Sequence, residues 1–388
     1  MNSEPTTLRT ALLAGIDAVD TAAWDHLVDP NDPFAEHAFL AALERSGCVG
    51  APATGWVPRH LVVWDGERAV AAMPLYEKYD SYGEYIFDWG WAQAAQAAGL
   101  RYYPKLVSAV PFTPVSGRRL LLDAALSLAE RERATTALLD GVAEVAEACD
   151  ASSVHVLFST AAEKETLFGY GFLPRDSYQF HWENHGWRDF DDYLSQLRAT
   201  VRKQIKRERR QALAHGLRLV TLRGEEMTDR HWQAMWRFYS DTTDRKWGSP
   251  YLNRRAFTLF QETLGHRVLA TLALADETPV AGALMFYRGT TLYGRYWGCA
   301  RPLPAMHFEL CYYRPIQWAI EQGLGRFEAG AQGEHKLKRG LLPATCHSAH
   351  WLRDPALAEA VARFLPRERL AIAGEMRLLN AHTPFRRG

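Results

Sequence analysis

One order of elements occurs twice along the chain, and that repetition restricts the fold more than any other feature. In the first half, residues 35–45 have the apolar spacing of a helix, while 60–64 and 69–76 read as strands joined by a tight turn at Asp65-Gly66. Residues 82–89 and 105–112 extend the set as strands, 126–149 is a long helical stretch, and 154–158 is a buried strand. The second half repeats the scheme. A helix over 190–214 closed by Gly216 leads to a strand at 217–222 and a helix at 228–241. Strands at 268–275, 280–287 and 291–297, a helix at 308–322 and a strand at 326–329 complete it. Sequence identity between the halves is not evident, so the repetition is one of architecture.

A chain of 388 residues exceeds what one hydrophobic core usually organises. The pattern therefore predicts two mixed α/β domains, 1–185 and 186–388, divided where His185-Gly186 interrupts the periodicity. The charges balance at 45 basic and 45 acidic side chains, so no global field recruits nucleic acid or an anionic membrane, and any such binding must be local. Five scattered cysteines without CxxC spacing argue against a disulfide framework or structural zinc and for a reducing cytoplasm. No apolar run approaches the roughly 18 residues of a membrane span.

Chemistry-bearing residues concentrate in RFEAGAQGEHKLKRGLLPATCHSAHW, residues 326–351, where an apolar strand carrying Glu328 enters a loop crowded with acids, imidazoles and cations. Cys346, His347 and His350 do not read as metal ligands, because strand alternation sends His347 to the face opposite Cys346 and His350. A nucleophile elbow of the G-x-S-x-G type is absent from the sequence, which removes the serine-hydrolase reading. The sharpest charge cluster is residues 198–210, where Arg202, Lys203, Lys206, Arg207 and Arg210 stand on a helix docked by Leu194, Leu197, Val201 and Ile205. Such a face suits an anion: tRNA, a nucleotide-linked precursor or anionic lipid.

Several long strings carry a family resemblance: SYGEYIFDWGWAQAAQAAGLRYYPKLVSAVPFTPVSGRRLL, RKQIKRERRQALAHG, GRYWGCARPLPAMHFELCYYRPIQWAIEQGLGRFEAGAQGEHKLKRG and CHSAHW. On these the chain resembles the predicted N-acyltransferases with tandem GNAT-like domains, related to the FemAB-type enzymes of peptidoglycan interpeptide synthesis. The resemblance implies two GNAT-like domains with mostly antiparallel central sheets and transfer of an acyl or aminoacyl group to an amine. It also implies acyl-CoA or aminoacyl-tRNA as donor, with no tightly bound cofactor, and a small-molecule or peptide amine as acceptor, such as a peptidoglycan precursor. The helical arm often present in FemAB-type relatives is not obvious here.

Acyl transfer to an amine needs the ammonium, with a pKa near 10, to lose a proton. Glu328 is the first candidate base, since Phe327 and Ala329 should face the other side of its strand. Glu334, His335 and His307 are further proton carriers, with Arg295, Trp297, Lys336, Lys338 and Arg339 as substrate contacts. In the first half, Glu84 and Asp88 beside Trp89 and Trp91 form a candidate acceptor pocket. Where a GNAT domain places a Gly-rich phosphate loop, the second half reads Cys299-Ala300-Arg301-Pro302-Leu303-Pro304-Ala305, and proline supplies no N–H. The corresponding anion loop in the first half is Gly117-Arg118-Arg119. Two other functions fit the same residues: a non-catalytic recognition protein for peptidoglycan precursors, and a CoA-dependent small-molecule acetyltransferase.

Overall fold

Two hairpins set strand registers, one turning on Gly66 at φ 60° and one on Asp276 and Glu277 at φ 48° and 45°, left-handed backbone of the kind favoured in two-residue turns between twisted strands. The computed structural model describes residues 7–247, 250–330 and 333–386. The chain opens with β1 (Arg9–Leu13), α1 (Thr21–Asp25), α2 (His37–Arg45), β2 (Trp56–Pro58), β3 (His60–Asp65), β4 (Arg68–Met73) and β5 (Tyr76–Lys78). It continues with α3 (Trp89–Ala97), β6 (Lys105–Ser108), β7 (Leu121–Leu122), α4 (Leu128–Ala148), β8 (Ser153–Ser159), α5 (Ala161–Gly169) and β9 (Leu173–Glu183). Then follow α6 (Phe190–Gln196), α7 (Ala199–Leu213), β10 (Arg218–Arg223), α8 (Asp229–Trp247), α9 (Arg254–Leu264), β11 (Val268–Ala275), β12 (Thr278–Arg288) and β13 (Thr291–Cys299). The last elements are α10 (Met306–Phe308), α11 (Arg314–Glu321), β14 (Arg326–Glu328), β15 (Leu342–Leu352) and α12 (Pro355–Ala381).

Contacts divide the chain into two units, residues 1–177 with 345–372, and residues 178–344 with 373–388. The sequence puts its division at 185/186 and gives everything after it to the second domain. In the structure the chain instead returns, and residues 345–372 join the first unit because β15 pairs antiparallel with β8.

The first unit contains the small sheet β1-β3-β4-β7 and the strand set β2-β5-β6-β8-β15. Helix α4 lies on the small sheet at Gly141, where a Cβ would come 2.8 Å from the Thr10 methyl and 3.4 Å from Leu61. Its N-terminus is fixed by a reciprocal capping box of Ser127 and Glu130. The second unit has the order β10-β11-β12-β13-β14-β9. Helix α8 approaches its sheet so closely that a Cβ on Gly298 would meet the Phe238 carbonyl oxygen at 2.2 Å. Trp182, Tyr193, Tyr313, Ile316 and Phe327 are among the buried side chains of its core.

Among the described residues each unit contains one parallel pair, β6 with β8 and β13 with β14, and in each a helix makes the crossover. The other strand pairs described within the units are antiparallel, the mixed α/β architecture expected from the repetition.

Further expected elements differ from the structure: the strand expected over 105–112 ends at Ser108. Residues 82–89 form no strand but a sequence of bends with Tyr85 at φ 63°, so Glu84 and Asp88 are placed by the ion network described below rather than by strand alternation. The helix over 190–214 is broken between α6 and α7, where Leu197 is extended and bridges Phe385 while the Arg198 N–H donates to the Pro384 carbonyl. The helix over 308–322 contains a π-helical turn at Glu309–Tyr313.

Candidate active site

The site begins where a parallel pair comes apart. β13 and β14 are in register only from Thr291–Arg326 to Tyr293–Glu328, after which β13 continues to Cys299 alone. On its other edge β13 carries one extra residue: Leu284 is opposite Tyr296 and Met285 opposite Gly294, leaving Arg295 between them. A bulge of this kind bends the strand and re-aims side chains. Below it opens a cavity of about 150 Å³ lined by Arg295, Trp297, His307, Cys311, Tyr312 and Ala329, among others.

The π-helical turn supplies the facing wall. Its wider winding places residues five apart on one face, and the rings of His307 and Tyr312 meet edge to face at 5.5 Å. Trp297 approaches His307 at 5.1 Å from the strand side. The Tyr312 hydroxyl and His335 Nε2 share a hydrogen bond of 3.0 Å, and the His335 ring lies 6.0 Å from that of His307. Burial raises the Tyr312 phenol above its ordinary range, so this hydroxyl remains a protonated, neutral partner. Of the residues singled out in the sequence, His307, Arg295 and Trp297 thus share one cavity, with His335 adjoining. Cys311 and Tyr312 are not singled out in the sequence; for Tyr312 the reason is that ordinary helical spacing of four from His307 leads to Cys311, and the π turn brings Tyr312 alongside.

Around this core the loop after β14 is held by buried cations. Lys336 is buried and its Nζ donates to the Gly330 carbonyl at 2.6 Å; burial pushes its pKa down to about 7. Arg339 donates to Glu208 at 2.9 Å and to the His335 carbonyl at 2.6 Å, with its guanidinium 3.5 Å above the Phe308 ring. Tyr193 donates to the Arg339 carbonyl and Tyr313 to Glu208. Arg339 is therefore a strut between the loop and α7. Lys338 is exposed and lines a separate, larger cavity with Glu208, Phe308, His335 and Glu375. The Glu334 side chain is outside the described residues.

Glu328 is 2% exposed, with Arg326 and His181 each 3.7 Å from its carboxylate, and it is not among the residues lining the cavity at the bulge. Burial, assisted by Arg326 and Lys336, pushes His181 down to about 3, so that partner is a neutral imidazole at pH 7. The expected carboxylate base is a sealed group beside a guanidinium.

The same position in the first unit is closed. Beyond the β6–β8 pair, the Gly117 N–H donates to the Phe158 carbonyl and Arg119 Nε to the Leu157 carbonyl. Arg119 is fully buried, donates also to the Val115 carbonyl at 2.6 Å, and faces Asp32 at 3.6 Å. Arg118 pairs with Asp29 at 3.3 Å. The expected anion loop at Gly117, Arg118 and Arg119 is thus occupied by the protein's own carboxylates and carbonyls, and a phosphate there would meet two acids.

Glu84 and Asp88 are likewise internal. Lys105, fully buried, donates to Glu84 and Ser81 at 2.9 Å and to Asp88, while Tyr102 donates to Asp88 at 2.6 Å. Burial pushes the Glu84 carboxyl up to about 7 against the pull of Lys105. For Asp88 burial is outweighed by Lys105 and His155, which hold it well below the usual carboxylate range. Trp91 is buried against His350, whose Nδ1 lies 2.7 Å from His155 Nδ1. The expected acceptor pocket is a filled core of ion pairs; of its members only Trp89 is exposed. Cys346 and His347 have partners of their own in Ser116 and Asp176.

On α7, Arg202 turns back to the Leu197 carbonyl at 3.0 Å. Lys203, Lys206, Arg207 and Arg210 are exposed at spacings that put them on one helix face.

A meander whose last strand runs parallel to a short strand and parts from it over a cavity is the arrangement of a GNAT-like domain. The chain belongs to the FemAB-like family of peptidoglycan biosynthesis/recognition, whose model matches residues 15–387. It is thereby a peptidoglycan-related N-acyltransferase with tandem GNAT-like domains. Among solved structures, that of FemX is 13% identical over 89% of this chain and 98% of its own, with a TM-score of 0.55, a likeness of fold. A tandem GNAT protein from the clavulanic acid biosynthesis pathway is 13% identical over 90% of this chain and 99% of its own, with a TM-score of 0.44. The L-PGS of Bacillus licheniformis is 11% identical over 84% and 95%, with a TM-score of 0.47. No protein of curated function matches the chain. No helix of the described residues is long and apolar enough to cross a membrane.

Proposed function

We propose that the second unit joins an aminoacyl group to the amine of a peptidoglycan-type peptide in the cavity beneath the bulge at Arg295. The observation that carries this is the contrast between the two parallel pairs: one opens onto His307, Tyr312, Trp297 and Arg295, the other is plugged by Arg119. In the transfer, the acceptor nitrogen attacks the ester carbonyl of the donor while His307 takes the proton it loses. Backbone N–H groups of β13, past the last residue paired with β14, hold the carbonyl oxygen as it becomes anionic. The carbon–oxygen ester bond then breaks, and the departing hydroxyl takes the proton from His307. Tyr312 and His335 orient the His307 ring.

The donor is an aminoacyl-tRNA. In the loop before α10, Pro302 and Pro304 supply no N–H for a coenzyme A pyrophosphate, so its residues do not fit that group. The exposed row Lys203, Lys206, Arg207 and Arg210 suits a phosphodiester backbone. The test is a transfer reaction with aminoacyl-tRNA or acetyl-CoA and an amine-bearing muropeptide, read by mass spectrometry. An aminoacyl adduct formed only with the tRNA donor is expected; an acetyl adduct, or no adduct with either donor, would overturn the proposal.

A further inference from the structure

A π-helical turn is less favourable than the α-helix around it, so one that persists inside a helix is held there by groups outside it. Here the turn covers Glu309–Tyr313, between α10 and α11. The Arg314 N–H donates to the Glu309 carbonyl, five residues back, where an α-helix would have it donate to Leu310. The next residue is Pro315, which has no N–H. A buried carbonyl needs a partner, and for Leu310 it comes from another element: the Thr271 hydroxyl of β11 donates to it at 2.7 Å, both residues being fully buried.

The second hold is electrostatic. Glu309, the first residue of the turn, is buried, and Arg209 of α7 donates to both its carboxylate oxygens, from Nε at 3.1 Å and from a terminal nitrogen at 3.0 Å. In this two-pronged geometry a guanidinium fixes the direction of a carboxylate as well as its charge. The same terminal nitrogen donates to Gln317 Oε1 of α11 at 3.0 Å, and the guanidinium lies 4.6 Å above the Phe190 ring of α6. Arg314 Nε stands 3.4 Å from the same carboxylate. Arg209 thus ties α6, α7 and α11 together at the start of the wide turn.

We infer that Thr271 and Arg209 are positioning residues of the transfer site: they keep the helix wide between His307 and Tyr312, and so keep those two rings in contact. With an α-helical winding of about 100° per residue, Tyr312 would lie about 140° round the axis from His307. The ring contact at 5.5 Å and the hydrogen bond from Tyr312 to His335 would then be lost together. Neither Thr271 nor Arg209 lines the cavity at the bulge; one acts through the Leu310 carbonyl, the other through the Glu309 carboxylate. This role rests on the transfer taking place in the cavity of His307, and it names what sets the geometry there.

The experiment reads the His307 ring-proton signals of the full chain by NMR, identified by their loss in His307→Gln, in the variants Thr271→Val, Thr271→Ser and Arg209→Met. Single-turnover transfer rates and aminoacyl-tRNA affinity are measured on the same proteins. Valine keeps the shape of threonine and drops the hydroxyl, whereas serine keeps the hydroxyl. In Thr271→Val and Arg209→Met the His307 signals are expected to move and the rate to fall about tenfold or more; Thr271→Val keeps the donor affinity of the parent, and Thr271→Ser keeps both signals and rate. Circular dichroism identical to that of the parent confirms folding, and should Thr271→Val not fold, Arg209→Met decides alone, since its side chain is 24% exposed. Unmoved ring signals in the folded variants overturn the inference, as do moved signals with full rate, or equal rate losses in Thr271→Val and Thr271→Ser. The ring signals need neither donor nor acceptor, so a parent chain that transfers nothing would overturn the assigned reaction while the hold on the turn is still tested.

Discussion

Replacing Lys336 by Met should stabilise the second unit, and by an amount that depends on pH. The residue is 3% exposed, and its ammonium donates to the Gly330 carbonyl at 2.6 Å. Burial lowers its pKa from an ordinary 10.5 to about 7. At about 1.4 kcal/mol per pH unit, a depression of that size corresponds to about 5 kcal/mol between charged and neutral forms. The unfolded chain keeps this proton up to the ordinary lysine range, whereas the folded chain releases it near pH 7. Between those limits the unfolded state holds more protons, so this lysine's contribution to stability rises with pH there and levels off below pH 7. A methionine of similar volume removes the charge and forfeits one hydrogen bond of about 1 kcal/mol. Lys336→Met should therefore be more stable than the parent by about 3–4 kcal/mol at pH 6, with the gain shrinking steadily as pH rises toward 10. Urea denaturation at pH 6, 7.5 and 9 measures it. A variant less stable at every pH, or a gain that does not change with pH, would refute the reasoning.

Arg119→Met should destabilise the first unit by about 3–5 kcal/mol, because it leaves the buried Asp32 carboxylate without its cation and the Val115 and Leu157 carbonyls without donors. Arg118→Ala, which breaks a half-exposed pair with Asp29, should cost less than about 1 kcal/mol; equal losses in urea melts of the two variants would contradict the buried role. Replacing Lys203, Lys206, Arg207 and Arg210 together by Ala should flatten the log–log dependence of tRNA affinity on salt by about 3, at roughly 0.7–0.9 for each phosphate that is no longer neutralised. An unchanged slope in filter binding would remove α7 from the donor site.

The paired meanders are legible because hairpin turns and two-residue periodicity are local: Asp65-Gly66 and the Asp276–Glu277 turn fix strand neighbours within a few residues. Residues 82–89 mislead for a physical reason. Glu84, Ile86 and Asp88 alternate as a strand face would, but Lys105, 21 and 17 residues away from the two acids, pulls them inward and turns the aromatic residues out. The break at Leu197 depends on a tail almost 190 residues downstream, and no periodicity encodes it. His307, Arg295 and Trp297 are singled out in the sequence by residue type, outside the stretch 326–351, and the structure places them around one cavity. Their meeting depends on one extra residue in β13 and one wide helical turn, each a departure from the spacing on which sequence reasoning rests. Glu328 drew attention by its place on the strand, and the structure gives that place to an ion pair.

The central claim is that transfer takes place in the cavity under the bulge, with His307 and not Glu328 receiving the amine proton. Parallel single-turnover kinetics of His307→Gln and Glu328→Gln on one aminoacyl-tRNA and one amine-bearing muropeptide test it most directly. The account predicts that His307→Gln loses about 10²–10⁴ in rate, the usual worth of a general base, while Glu328→Gln stays within about tenfold of the parent. The reverse order, with Glu328→Gln inactive and His307→Gln near full rate, would contradict it.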